Sequence, residues 1–594
     1  MIRGYIDFDT LGHTQSLNAS HEHGKLVAPG FELEQTGSDK LLVTKGQQML
    51  LVAGRPRARD AALATQIKEH GWEDIIAQLL ARPDEVLGRL AGRFALLWAD
   101  LAQGTIGFAS DKFNTCGFCY AREGNRLSFG DRANAVPALR REIDRQAVFD
   151  YLYFHAIPAP GTIFCNIQRL EPGARLLADR SQMHIAQWWQ PRFEEPSSGD
   201  FEPLSRSFKS LIETAVRRDL DGSPVGAFLS GGTDSSTVVG MLGRSGNPVT
   251  AYSIGFEAEG YDEMEFAKIA AKHFGVEHRP YYITPQDLVA HIPAVAASYD
   301  QPFGNSSVLP AYLCAKLARD EGMHKMFAGD GGDELFGGNT RYAKQRLFSY
   351  YDKVPGLMKR SLLEPMLMQT PMGKLPLMRK AASYVEQART PLPDRTAQYN
   401  LLFRLGIENI FQPGFLAAID TNAPLALQRR VWADVAANAL VNKQLGFDWR
   451  FTLADSDLPK VIGSTRLAGL DVKFPLLDDD LVDFSLGLPP EYKLKGLTLR
   501  WFFKEALRDF LPPEIISKKK QGFGLPFGQW ALKHRPLEEL ARASAVPLVE
   551  QGILRQDFVD ALFKTHLPAF PGYYGEMVWI MMMMGQWLEH HAKS

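Results

Sequence analysis

Cysteine is scarce. Only Cys116, Cys119, Cys165 and Cys314 occur in 594 residues, too few and too scattered for a disulfide framework, which agrees with a reducing compartment. Surplus charge is missing too: 66 Lys and Arg stand against 68 Asp and Glu, a net charge of −2, which offers no overall basic field for nucleic acid or an anionic membrane. No apolar run reaches about 18 residues, and the opening MIRGYIDFDT has none of the basic start, apolar core and cleavage site of a signal peptide. The expectation is a cytoplasmic protein with no membrane span and no nucleic-acid partner. Repeats and low-complexity tracts are absent. Neither GxxxxGK[ST] nor GxGxxG occurs, which disfavours a Walker-type NTPase and a standard dinucleotide fold. Cys116 and Cys119 form a CxxC in NTCGFCY. No second CxxC or Cys/His pair completes a zinc site, and the pair lies between the strand-like TIGFAS and CYARE, so a structural role is preferred to a redox one.

What is present divides the chain. At 45% hydrophobic and 23% charged residues, the composition is that of a globular protein of two to four domains. Up to about residue 190, short strand-like runs such as KLLVTK, QMLLVAG, RFALLWAD, TIGFASD and RLSFGD predict a β-rich domain with few helices. QPRFEEPSSGDFEP, residues 190–203, reads as a linker. Beyond it, FKSLIETAVRRDL, SSTVVGMLGRS and DEMEFAKIAAKHFG have helical period, and SPVGAFLS, PVTAYSIGF and HKMFAGD read as strands. That alternation predicts an α/β domain with a parallel, doubly wound sheet. The expected boundaries are 1–190 and 204–594. The MMMM at 581–584 lies in a helical stretch and reads as core.

The stretch FLSGGTDSST (228–237) is a strand end running into a helix, where an open parallel sheet places its ligand crevice. Its glycines let backbone N–H groups approach an anion, Ser230 and Ser235 add hydroxyls, and the helix beginning near Asp234 points its positive end there. This is a phosphate cradle with one misfit. A carboxylate at Asp234 repels phosphate unless a cation lies between, and Mg²⁺ is the simplest cation. AGDGGDELFGGN (328–339) supplies Asp330, Asp333 and Glu334 after another strand, so two loops on neighbouring strand ends predict a clamp on a metal-bound polyphosphate. Alone, each loop would pass for a glycine turn with a capping side chain; together they argue for function.

At this point the motifs match a known family. SGGTDSS resembles the SGGxDS pyrophosphate loop of the N-type ATP pyrophosphatases, and AGDGGDELFGG resembles the SGxGxDExFGG segment of asparagine synthetase B. Residues 457–484 are similar to the segment ending in R-x-PFLD, and 496–530 to K-x-x-LR-x-AL and K-x-GF-x-x-P. The N-terminal part resembles the family's glutaminase domain more weakly, in GRFALLWAD and FCNIQRLEPGARL. The resemblance implies a degenerate Ntn-hydrolase-like domain followed by a synthetase domain, with ATP and Mg²⁺ as cofactors. By motif position, Leu229, Ser230, Gly231, Gly232, Asp234 and Ser235 would bind phosphates, with Ile254 and Gly329 near the nucleoside and Asp234 and Asp333 on the metal. Lys520 would stand where the family keeps a lysine that stabilises charge on the α-phosphate and acyl intermediate. Such a cation is often worth roughly 10²- to 10³-fold in rate. Without the flanking motif, Lys518, Lys519 and Lys520 would read as a solvated basic helix end.

One departure redirects the function. Glutamine-dependent members begin Met-Cys-Gly, and the cysteine releases ammonia from glutamine. Here Met1 is followed by Ile2, which cannot form a thioester, and the family's Asn-Gly-Glu glutamine-binding segment is not found. Two branches that lost this cysteine use the substrate's own amine: β-lactam synthetases and lasso-peptide cyclases. The first carry Tyr where Asp330 stands, to help deprotonate an amide nitrogen, and a carboxylate alone matches that nitrogen poorly. An α-amine, with a pKa near 7.7–8.0, needs a modest base or none, and Asp330 is the candidate catalytic residue beside it. The expectation is therefore a lasso-peptide macrolactam synthetase acting on a precursor peptide, with a leader peptidase and a leader-binding protein as further partners. The alternatives are an asparagine synthetase-like enzyme using ammonia or another small amine, a β-lactam synthetase-like cyclase and a degenerate binding scaffold. The acceptor pocket falls in the weakly matched region 340–440.

Overall fold

Strand Gln48–Gly54 is buried along almost its whole length, which for an antiparallel strand means that both faces are covered. Its Met49 and Leu51 face one way, Leu50 and Val52 the other, and each side meets a separate apolar cluster. The computed structural model describes residues 1–11, 18–20, 24–37, 39–138, 141–258, 261–352, 354–359, 384–519 and 524–591. Within them, the N-terminal part builds two large antiparallel sheets and a two-stranded one, Arg57–Ala58 with Leu90–Ala91. The first runs in space Gln168–Arg169, Cys119–Glu123, Arg126–Gly130, Ile2–Asp7, Phe31–Gln35, Lys25–Ala28 and Asn18–Ser20. The second runs Met183–Gln187, Ala174–Ala178, Thr105–Ser110, Phe94–Asp100, Gln48–Gly54 and Lys40–Lys45. Ile2, Ile6, Leu33, Phe129 and Phe108 fill the space between them. Helices Ala61–His70, Glu73–Ala81 and Pro83–Gly88 cover the outer face of the second sheet through Leu63, Ile75, Ile76, Leu79 and Val86.

Residues 201–203 of the expected linker are helical. Helix Phe201–Arg218 starts inside the Pro- and acid-rich stretch, because Asp200 adopts the extended conformation of an N-cap and Pro203 falls in the first turn, where its missing N–H costs nothing. Five strands follow in the spatial order Glu277–Ile283, Val249–Phe256, Val225–Phe228, Lys325–Phe327 and Asp471–Lys473. All four pairings are parallel. The chain builds outward from Val225–Phe228 to one edge, then returns to start Lys325–Phe327 on its other side. The order thus reverses between these two strands.

Met581 to Met584 are at most 1% exposed, within helix Pro571–His591. The methionine run is core, as expected. Cys116 and Cys119 are free thiols that burial pushes up, Cys116 to about 11 and Cys119 further, so neither supplies a thiolate near neutral pH. A nearly buried ion pair between Lys112 and Asp479 (2.7 Å) joins the sandwich to the parallel-sheet part, and the other Asp479 oxygen accepts the Gly92 N–H at 2.6 Å. No helix of the described residues is long and apolar enough to cross a membrane.

Candidate active site

The reversal point is where an open parallel sheet leaves a crevice beyond its carboxyl ends. Both glycine-rich loops leave the sheet there, one from Val225–Phe228 and one from Lys325–Phe327. In the first, Gly231 holds φ +68°, and a Cβ there would come within 2.5 Å of the Ala267 nitrogen, so only glycine fits the turn. The hydroxyls of Ser230 and Ser235 lie 3.0 Å apart. Gly232 caps helix Thr233–Arg244, a 12-residue helix with no side chain capping its first N–H groups. Those donors and the helix dipole make an anion seat.

The second loop is threaded against the first so closely that a Cβ on Gly329 would sit 2.7 Å from the Ser235 nitrogen. A Cβ on Gly332 would lie 2.5 Å from Cγ of Asp234, and one on Gly338 would lie 2.6 Å from Cγ of Asp333. These glycines leave room for two carboxylates. Both carboxylates meet one guanidinium, that of Arg500, which is 7% exposed, contacts Asp234 and lies 3.0 Å from Asp333 Oδ1. The amine that faces Asp333 also donates to Thr233 Oγ1 at 2.6 Å. Arg500 itself is left-handed (φ 56°, ψ 36°) at the start of helix Trp501–Ala506, a conformation that costs a non-glycine residue about 1–3 kcal/mol and clusters at functional sites.

The two loops wall a cavity of about 690 Å³. Leu229, Ser230, Gly232, Asp234, Ser235, Ile254, Gly329, Asp330 and Asp333 all line it, and Gly231 lies on the same loop, its carbonyl accepting from Lys518 Nζ at 3.3 Å. Tyr252, Ile254, Pro310, Ala311 and Cys314 give one end an apolar character. Lys520 lies outside the described residues. At the other end Lys460 bridges Asp330 (3.4 Å) and Asp457 (3.0 Å). Burial raises the Asp330 pKa, with Lys460 pulling against it. Burial, then the charges of Asp457 and Asp448, lifts Glu334 well above the usual carboxylate range. Burial lowers Lys518, which pairs with Glu263 at 3.2 Å. Arg500, Lys518, Lys460 and Asp457 escape motif reading. The clues are slight: an arginine in GLTLRW, the first lysine of KKK, and DSDLPK.

Residues 207–589 match the asparagine synthase family and residues 63–189 the glutamine amidotransferase domain family. The chain belongs to the asparagine synthase family. Its membership makes it an ATP-dependent carbon–nitrogen ligase. Asparagine synthetase [glutamine-hydrolyzing] 1 of Bacillus subtilis (strain 168) is 24% identical over 520 residues, covering 87% of this chain and 80% of that protein. A putative asparagine synthetase [glutamine-hydrolyzing] of Mycobacterium tuberculosis (strain ATCC 25618 / H37Rv) is 26% identical over 467 residues, 75% of this chain and 69% of its own. Putative asparagine synthetase [glutamine-hydrolyzing] 2 of Methanocaldococcus jannaschii is 32% identical over 278 residues, 45% and 53% of the two chains.

Against those names, the first strand of this family member stands out. Ile2 is 1% exposed in strand Ile2–Asp7 and packs between the sheets. Cys116 lines the same cavity as Ile2, and burial pushes its thiol up to about 11.

Proposed function

We propose that this ligase forms a macrolactam in lasso-peptide biosynthesis, joining a peptide's N-terminal amine to the side-chain carboxylate of an Asp or Glu in the same peptide. The observation that carries the reading is the pairing of an intact two-loop ATP site with a buried Ile2 where a glutaminase nucleophile is needed. An amine tethered in the substrate has an effective molarity far above that of free ammonia, so the enzyme needs no glutaminase. The peptide carboxylate attacks the α-phosphorus of ATP, the bond to the β-phosphate breaks, and pyrophosphate leaves. The amine then attacks the acyl carbon, loses a proton, and releases AMP.

The chain's residues divide this work. The Ser230–Ser235 loop and the Thr233–Arg244 helix end bind the phosphates that leave, and Ile254 and Gly329 take the nucleoside. Mg²⁺ fits the donor set, because Asp234 and Asp333 already converge on one cation and Gly332 and Gly338 keep that space open. Among the described residues no group of three or more ligating side chains could hold a metal, so phosphate oxygens would complete its shell. When bound, the ion offsets phosphate charge. Asp330, raised by burial, accepts the proton of the attacking amine, and Lys520 would stabilise the charge that develops on the α-phosphate. A leader peptidase and a leader-binding protein would supply the trimmed substrate.

A second reading, an asparagine synthetase-like ligase using ammonia, is favoured by the names of the relatives. Pyrophosphate release separates the two: it should require a peptide with an internal Asp or Glu, and repeated turnover should also require a free N-terminus. Release driven by aspartate and ammonium, and not by the cognate peptide, would favour the second. Glutamine should yield no glutamate under either.

A further inference from the structure

Away from the ATP site, a cavity of about 970 Å³ opens between the N-terminal sandwich and helix Leu458–Leu467. Its size lies near the top of the range of roughly 300–1,000 Å³ typical of sites that enclose drug-sized ligands. Four acids reach it, and each already has a cation. Glu32 pairs with Lys25 (2.9 Å), Asp39 with Lys40 (2.8 Å), Asp131 with the N-terminal amine (3.5 Å) and Asp471 with Lys473 (3.0 Å).

Five arginines on its walls have none. Among the described residues, no carboxylate lies within 4.0 Å of Arg93, Arg126, Arg132, Arg141 or Arg466. Arg132 spends one amine on the Ser298 carbonyl (2.5 Å) and Arg141 one on the Val136 carbonyl (3.3 Å). The Nε atoms of Arg93 and Arg132 are buried without any hydrogen-bond partner. Burial, then the charge of Arg132, lowers the pKa of Arg466, with the more distant Asp300 and Asp131 carboxylates pulling the other way. Arg126 lies over the Tyr5 ring at 3.8 Å and Arg93 over the Phe474 ring at 5.5 Å, but gathering cations without a contacting carboxylate is costly unless an anion joins them. Between the arginines lie Ala53, Ala95, Ile462, Leu470 and Val472, which an inorganic anion would leave wet. A ligand that satisfies both kinds of wall carries several carboxylates and apolar groups.

We propose that this cavity binds an acidic peptide segment, with its Asp and Glu side chains on the arginines and its apolar side chains between them. The inference rests on the peptide substrate proposed above and assigns that substrate a second holding site. Helix Leu458–Leu467 turns Ile462, Thr465 and Arg466 to this cavity and Lys460 and Val461 to the ATP cavity, so a segment held here lies one helix away from the reacting carboxylate. Arginine forks suit carboxylates bidentately.

The test is fluorescence anisotropy on the full chain without ATP, using a labelled octapeptide of alternating leucine and glutamate. We expect saturable binding that weakens as sodium chloride is raised. Arg132→Gln combined with Arg466→Gln should weaken it at least about tenfold, with melting temperature and Mg·ATP binding unchanged. Should that variant lose ATP binding as well, Arg126→Gln combined with Arg141→Gln takes its place, with the same expected loss. No saturation, equal binding of an alternating leucine–lysine peptide, or full affinity in a folded variant would overturn the proposal. The readout needs no chemistry, so its failure is distinct from that of the cyclase reading: cyclisation without cavity binding sinks this site alone, and binding without cyclisation sinks the proposed reaction.

Discussion

The Asp234 carboxylate and the Arg500 guanidinium are in direct contact, although 266 positions of chain separate them. The same arginine reaches Asp333 at 3.0 Å, so a residue of the C-terminal segment holds together the acids of two separate loops.

If these acids hold a cation over phosphates, removing either charge should stop ATP cleavage without unfolding the chain. Asp234→Asn or Asp333→Asn should lower peptide-dependent pyrophosphate release by roughly 10²-fold or more, with the melting temperature nearly unchanged. Wild-type release from either variant would show that the clamp is structural.

The room around those carboxylates is set by glycine. In Gly332→Ala the new Cβ meets Asp234, and in Gly338→Ala it meets Asp333. Overpacking of this kind costs roughly 1–3 kcal/mol. Thermal melts should show that loss together with a drop in turnover per folded molecule. Unchanged turnover in both would mean that the acids need not keep these positions.

Glu334 gives the site a pH signature. Its folded pKa is raised to about 8 from a usual 4.5, so the folded state binds the extra proton between those values. Its contribution to stability is present below about pH 4.5 and is lost as pH rises through the folded pKa. Denaturant titrations from pH 5 to 8 should show the wild type losing stability relative to Glu334→Gln. Parallel curves would mean that Glu334 ionises normally.

Lys520 is expected to act on the transition state and not on folding. Lys520→Met should cut turnover by roughly 10²-fold or more, while thermal unfolding stays close to wild type. A variant that melts early yet turns over normally per folded molecule would assign the lysine to the framework.

Reading from sequence succeeds where the information is local. KLLVTK and QMLLVAG are strands Lys40–Lys45 and Gln48–Gly54, and the Ser-Gly-Gly and Gly-Asp-Gly-Gly loops follow strands as their glycines and flanking apolar runs indicate. It fails where tertiary packing chooses the partner. Nothing near GLTLRW marks Arg500 as the cation between Asp234 and Asp333, and the Lys460 bridge from Asp457 to Asp330 forms only when distant segments meet. The strand-rich reading of the first domain also passes over the helices within residues 61–88, whose role is to cover a sheet face that the strand pattern shows only as continuous apolar residues.

The cyclase claim stands or falls on the mass of one product. Incubated with ATP and Mg²⁺, the cognate leaderless peptide should lose the mass of one water, with one AMP and one pyrophosphate formed per ring, and aspartate supplied with ammonium should remain unchanged. Asparagine formed from aspartate and ammonium, with the peptide recovered at its full mass, would contradict the account.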